Sequence, residues 1–367
     1  VALDALLLGG VHSGVEQAIA GLVAALGVHR GGHEYLVVHR PGYELPVAGG
    51  LQSLVTPGWV RGRAARIAYQ QFCLPAALKG RCDLLHAPGY VLPLGWRGPA
   101  VLTVYDLIAL QFPQYCKPSN VWHYRALLPP SLRRARAIIV PSRTVAQDLG
   151  EWFPAVADKV RVIPLGIEAA FRPAAAEQVM ALRRRLQLPE RFLLCVGNLE
   201  PKKNLAAVVQ AFDRVADKVP HDLVLAGGKS WGEGALGETL GRLRHASRVH
   251  RVGYVPAADL PSLYSAAELL IQWSLYEGQG LPPLEAMACG TPALVSDGGA
   301  LPETVGEAGL VVPLGPPEAL AAELLTLLND PQTLQHLRER GRDHASAFTW
   351  ERHAEAVVAL YEELGDA

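Results

Sequence analysis

Short, nearly uninterrupted apolar runs alternate along this chain with stretches of helical periodicity, and the alternation occurs twice. Residues 36–38, 100–104, 137–140 and 160–163 read as buried strands, with helices over 15–26 and 121–135 between them. The second half repeats the scheme, with strands at 192–196, 222–226, 269–272 and 293–295 and a helix over 205–219. Strands apolar on both faces must be covered on both, which α/β proteins achieve by packing crossover helices against each side of a parallel sheet. The pattern predicts an α/β chain of two tandem doubly wound, Rossmann-like domains. The opening residues 1–8 read as a further strand, and 319–328, 333–348 and 350–364 read as closing helices.

At 367 residues and 50 % hydrophobic content, the chain is long enough for two cores of ordinary size. Pro and Gly gather around 163–168, where the charge balance reverses. Residues 1–170 hold sixteen Lys and Arg against ten Asp and Glu; residues 171–367 hold eighteen against twenty-five. The expected division is 1–168, 169–348 and a final helix over 349–367. The basic first half points to an anionic partner, such as a membrane surface or a phosphate-bearing acceptor, against the plainer reading of solvated helix faces. No basic-aromatic stripe, zinc-finger spacing or RNA-recognition motif occurs, so no nucleic-acid partner is expected. No apolar run is long enough to span a bilayer, and the first residues do not read as a signal peptide. Five scattered cysteines without a CxxC pair fit a reducing cytoplasm better than a disulfide framework or a zinc site.

The chemistry concentrates in Tyr276-Glu277-Gly278-Gln279-Gly280-Leu281-Pro282-Pro283-Leu284-Glu285, followed by Ala286 to Pro292. Proline suits the first turn of a helix and Gly290 the position past its end. Glu277 therefore falls on the loop before a short helix and Glu285 in its first or second turn, both facing one helix mouth. Carboxylates there can accept hydrogen bonds from the paired hydroxyls of a sugar or ribose. The macrodipole alone would favour an acid such as Glu285 near a helix start, but not Glu277 in a Gly-Gln-Gly loop.

This segment resembles the E-x7-E signature of the retaining glycosyltransferases of family 4. Further matches run from Ser13-Gly14-Val15-Glu16 to Phe348-Thr349-Trp350, through His86-Ala87-Pro88-Gly89-Tyr90, Val196 to Leu205 and Leu301-Pro302-Glu303. They are similar to bacterial mannosyl- and rhamnosyltransferase-like members. The resemblance implies the GT-B architecture: an acceptor-side domain over 1–168, a nucleotide-sugar donor domain over 169–348, a cleft between them, and a last helix crossing back to the first domain.

Several residues take roles by that resemblance. Lys203, in a strand-to-helix turn, would contact the donor diphosphate, while Lys202 reads as solvated. Glu277 would face the sugar or the charge developing on it, and Glu285 the ribose. Gly14, Gly227, Gly278, Gly280 and Leu281 would border the donor, Gly14 from the first half, so that closure of the domains assembles the site. Asp106 would orient substrate hydroxyls. The sequence also departs from the family's pattern. Asn198 stands where an arginine often contacts the diphosphate, and Tyr105 replaces the histidine of a T-V-H-D-L segment. A tyrosine will not take a proton near pH 7, which leaves His12 and His86 as substitutes on the acceptor side, although a lone histidine is more often structural. Trp273-Ser274 and Gln279 also differ from relatives.

The expected activity is metal-independent transfer of a hexose, with retention, from GDP-mannose or a UDP-hexose to a hydroxyl of a glycan or lipid-linked acceptor. No cofactor is expected beyond the donor, since no DxD-like carboxylate pair is evident. The expected location is the cytoplasm, with peripheral contact at the inner face of the membrane through the basic half. Asn198 and Tyr105 favour the rival reading of a non-catalytic nucleotide-sugar-binding relative or partner subunit; intact Glu277, Lys203 and Glu285 favour an enzyme. An epimerase or phosphorylase on the same architecture lacks its own catalytic set here, and a nicotinamide enzyme lacks GxGxxG.

Overall fold

A computed structural model describes residues 1–9, 13–46, 50–228 and 234–365. The chain divides into two units, Val1–Gly166 with Thr349–Ala367, and Ile167–Phe348. The first unit is built on β1 (Ala2–Asp4), β2 (Tyr35–His39), β3 (Leu51–Val55), β4 (Leu85–Ala87), β5 (Ala100–Thr103), β6 (Ala137–Val140) and β7 (Val160–Val162). These form one sheet in the order β3-β2-β1-β4-β5-β6-β7, with every pairing parallel. The expected strand over 1–8 ends at Asp4. Its carboxylate accepts the Leu6 amide at 3.2 Å, and the Leu8 amide bonds back to Ala5, so the chain turns instead of extending.

The last helix, Trp350–Gly365, belongs to this unit. Its Ala354, Val357, Leu360 and Tyr361 share a core with Leu3, Ile19, Leu26 and Tyr35. Gly21 makes this possible, since a Cβ there would stand 2.2 Å from the Trp350 ring.

The second unit holds β8 (Phe192–Val196), β9 (Asp222–Ala226), β10 (Val249–Gly253), β11 (Leu269–Gln272), β12 (Ala293–Ser296) and β13 (Leu310–Val312). They form a parallel sheet in the order β10-β9-β8-β11-β12-β13. Each sheet reverses its strand order once, at β1/β4 in the first unit and β8/β11 in the second. In doubly wound sheets the loops leaving such a reversal part to opposite faces and open a crevice at the carboxyl ends of the strands. That topology selects the loops after β8 and β11 as the ligand-facing loops of the second unit.

Candidate active site

The loop after β8 carries Lys202 and Lys203, and the loop after β11 carries Glu277. A backbone hydrogen bond from Leu275 to the Lys202 carbonyl, 2.7 Å, joins the two loops. The Lys203 ammonium donates to Glu277 Oε1 at 2.7 Å, and Lys202 Nζ stands 3.6 Å from Oε2 of the same carboxylate. The Gln272 amide, at the end of β11, also donates to Oε1, at 3.2 Å. Lys202 is therefore not the solvated lysine its sequence position suggests. The short turn Pro201–Lys203 and the left-handed Asn204 behind it wrap both side chains inward.

Glu277 is held from its backbone side as well. It bridges to Gly299, and its carbonyl accepts the Ala300 amide at 2.8 Å. A Cβ on Gly299 would come within 2.4 Å of that carbonyl. Burial by itself raises the Glu277 pKa, but the two lysines overcome it and hold the carboxylate at about 2. Glu277 is a fixed anion.

Glu285 lies in the second turn of the helix Leu281–Ala288, buried. The Tyr264 hydroxyl donates to its Oε2 at 2.7 Å. Here burial wins: the pKa rises to about 7, against the Tyr264 bond and the more distant Lys203, with Glu168 adding to the rise. Gly280 caps this helix at φ +100°, and a Cβ there would strike Leu301 at 2.7 Å. Gly278 is buried in the same loop, and Leu281 opens the helix half-buried.

Gly227 follows β9 with a Cβ position 1.9 Å from the Gly197 carbonyl oxygen. Only glycine lets the loops after β8 and β9 approach this closely. Asn198, on the same loop as the lysines, is exposed. Trp231 and Gly232, which follow Gly227-Gly228 in a turn that resembles the family's nucleotide border, lie outside the described residues.

The candidates of the first unit form a separate group. Asp106 accepts the Ile108 amide at 3.2 Å and is tied to the Tyr90 hydroxyl. Tyr90 has φ +70° and meets the Tyr105 ring edge-on at 5.5 Å. Tyr105 is buried, and burial raises its pKa, which keeps the phenol neutral. Gly14 begins the helix Gly14–Val28 under a Ser13/Glu16 capping box. Among the described residues no atom lies within 4 Å of its would-be Cβ, so no packing demand from them explains a glycine there.

His86 is corrected by the structure. It is fully enclosed on β4, with Nδ1 2.6 Å from the Tyr361 hydroxyl and Nε2 2.8 Å from Thr103 Oγ1. Burial, then His353, lowers its pKa to about 3. It is a neutral link between the sheet and the last helix, with neither nitrogen left for an acceptor. His12 lies outside the described residues.

Sequence reasoning passed over Gln272 and the partnership of Tyr264 with Glu285. A polar residue closing the apolar run of β11 at a strand-order reversal was a usable signal for Gln272. Tyr264 had none, because its hydroxyl meets Glu285 only through packing of two separate helices.

Two family models match the chain, "Glycosyltransferase Family 4" over residues 12–171 and "Glycosyl transferases group 1" over 181–344. It is 30 % identical to the O-antigen chain mannosyltransferase B of Escherichia coli over 284 residues, 77 % of this chain and 74 % of that protein. Among solved structures it resembles sucrose-phosphate synthase of Thermosynechococcus elongatus, with TM-score 0.78 at 24 % identity, covering 100 % of this chain and 98 % of that one. It also resembles Anabaena HepE in complex with UDP and glucose, with TM-score 0.76 at 18 % identity, covering 99 % and 98 %. With two parallel Rossmann-like sheets of the GT-B kind and an E-x7-E segment set at the strand reversal of the second, this chain belongs to the glycosyltransferases of family 4.

Proposed function

We propose that this protein transfers a hexosyl group from a nucleoside diphosphate sugar to an acceptor hydroxyl, with retention and without a metal ion. One observation carries the reading: two lysines converge on the buried Glu277, with a second buried carboxyl group, Glu285, on the helix that follows it, where the second sheet reverses its strand order. Lys203 would neutralise the diphosphate, aided by the helix N-terminus behind Gly280, which is stabilisation aimed at charge that develops as the donor breaks. Glu285 would accept the ribose hydroxyls. Glu277 would face the sugar and the positive charge growing at its anomeric carbon. As the bond from that carbon to the diphosphate oxygen breaks, the acceptor oxygen bonds on the same face, and its proton passes to the departing phosphate oxygen. No protein nucleophile is needed.

The mannosyltransferase relative favours GDP-mannose, and the UDP-bound neighbour keeps a UDP-hexose in view. A thermal-shift panel of GDP, UDP, TDP and ADP with EDTA present tests this. A ligand at one hundred times its Kd stabilises the native state by about 2.7 kcal/mol, roughly several degrees for units of this size. A shift for one base that persists in EDTA is expected. A shift abolished by EDTA would reveal a metal requirement, and no shift with any nucleotide would sink the reading.

Peripheral contact with an anionic membrane is supported by the first unit. No Asp or Glu occurs between Glu44 and Asp83 or between Asp106 and Asp148. Trp59, Phe72 and Trp122, from those same stretches, are strongly exposed. Among the described residues no helix is long and apolar enough to cross a membrane. Flotation with phosphatidylglycerol vesicles, and none with phosphatidylcholine, is expected; equal behaviour on both refutes the contact.

A further inference from the structure

We propose that Lys202 is a second phosphate-binding cation, supplying to the donor diphosphate the charge that Asn198 cannot. The inference rests on the donor reading above and assigns a residue within it. Asn198 stands on the loop leaving β8, four positions before Lys202, exposed and uncharged. Side chains three apart eclipse on a 3₁₀ turn, so consecutive ones diverge by about 120°. Lys202 and Lys203 are consecutive on such a turn, yet their ammonium groups converge on one carboxylate, each beside a different oxygen. The bond from Leu275 to the Lys202 carbonyl fixes the turn that brings them together.

Only 19 % of the Lys202 side chain and 14 % of Lys203 are exposed. Lys203 already meets Glu277 at hydrogen-bond distance, whereas Lys202 at 3.6 Å is a looser, longer-range partner. A diphosphate presents several anionic oxygens, and two ammonium groups that can flank one carboxylate can also reach two such oxygens. The position is the crevice at the carboxyl ends of β8 and β11, where ligands of doubly wound sheets bind. The competing view is that Lys202 only helps keep Glu277 ionised. The two differ in what Lys202 does to the phosphate part of a ligand relative to its nucleoside part.

The test titrates the wild type, Lys202→Ala, Lys202→Arg and the Lys202→Ala/Asn198→Arg double variant with GDP, UDP, guanosine and uridine by calorimetry. A charged hydrogen bond contributes about 1.5–3 kcal/mol, so Lys202→Ala should weaken the preferred diphosphate about 10- to 100-fold. Its nucleoside should change by less than about twofold. Lys202→Arg should bind like the wild type, which separates loss of charge from loss of fold. The double variant should recover most of the diphosphate affinity, because arginine at 198 restores a cation from the other end of the same loop. Unchanged diphosphate affinity in Lys202→Ala, equal losses for diphosphate and nucleoside, or no recovery in the double variant each overturns the assignment. A wild type that binds none of GDP, UDP, TDP and ADP refutes the donor reading itself, and this inference with it.

Discussion

The loop bearing Glu277 and the helical turn bearing Glu285 are close in sequence and both buried, yet their carboxyl pKa values are shifted in opposite directions. Burial raises the pKa of each. Glu277 is met by two lysines from a loop some seventy residues earlier and is driven down to about 2. Glu285 receives one neutral phenol and only a distant lysine, and rises to about 7. The lesson is that the E-x7-E spacing places two carboxylates at one helix mouth but does not decide their charge. Cations brought by a second loop decide it, and pairs of acids set apart in this way are suited to different tasks.

The pH dependence of stability should separate the two regions most strongly. Glu277 lies below its ordinary value of 4.5, so it stabilises the fold above that pH and the gain is lost as pH falls toward 2. Glu285 lies above its ordinary value of 4.5, so its contribution is present below that pH and is lost as pH rises through about 7. Each is on the order of 3 kcal/mol by linkage. Urea midpoints measured across pH for Glu277→Gln and Glu285→Gln should remove slopes of opposite sign in separate windows. Slopes of the same sign would break the comparison.

Next in size is turnover. Glu277→Gln keeps the shape of the side chain and removes its charge, and should lower kcat by about 10² or more, roughly 2.7 kcal/mol. Nucleotide affinity should change little, because the proposed role of Glu277 brings only the sugar end of the donor to that loop. Steady-state kinetics showing near-normal kcat would remove Glu277 from the reaction.

Lys203→Ala should weaken nucleoside diphosphate binding by about 2 kcal/mol, the worth of a charged hydrogen bond, and leave the nucleoside nearly unaffected. The same variant releases Glu277 from its nearest cation, so the acid-side stability slope should shift toward neutral pH. Calorimetry and pH-resolved unfolding on one protein check both halves.

The smallest effect belongs to Tyr264→Phe. Removing the hydroxyl takes away the donor to Glu285 and should cost about 1 kcal/mol of stability, more above pH 7, where Glu285 is ionised. It should also push the Glu285 titration higher, readable as a displaced pH midpoint of nucleotide affinity. An unmoved midpoint would mean that the hydrogen bond does not tune Glu285.

Much of this was legible in the chain itself. The central strands β8, β9, β11 and β12 were readable because strands buried on both faces must be continuously apolar. The edge strands β3 and β10 escaped notice, since they are half-exposed and carry mixed residues such as Gln52-Ser53 and His250-Arg251, while β13 is apolar but only three residues long. Glu277, Glu285 and Lys203 were visible as a motif. Lys202 was misplaced in solvent because consecutive lysines normally point apart, and His86 was a candidate until its two nitrogens proved to be occupied by Tyr361 and Thr103.

Local sequence was enough for the alternating layers, the two-part division and the loop–helix setting of the two glutamates, because periodicity, Pro-Pro and Gly act over a few residues. The protonation states, the inward turn of Lys202 and the enclosure of His86 depended on contacts between segments far apart in the chain. Burial cost and ion pairing are properties of such contacts, and they exist only once parallel strands have set β8 beside β11 and the last helix against the first sheet.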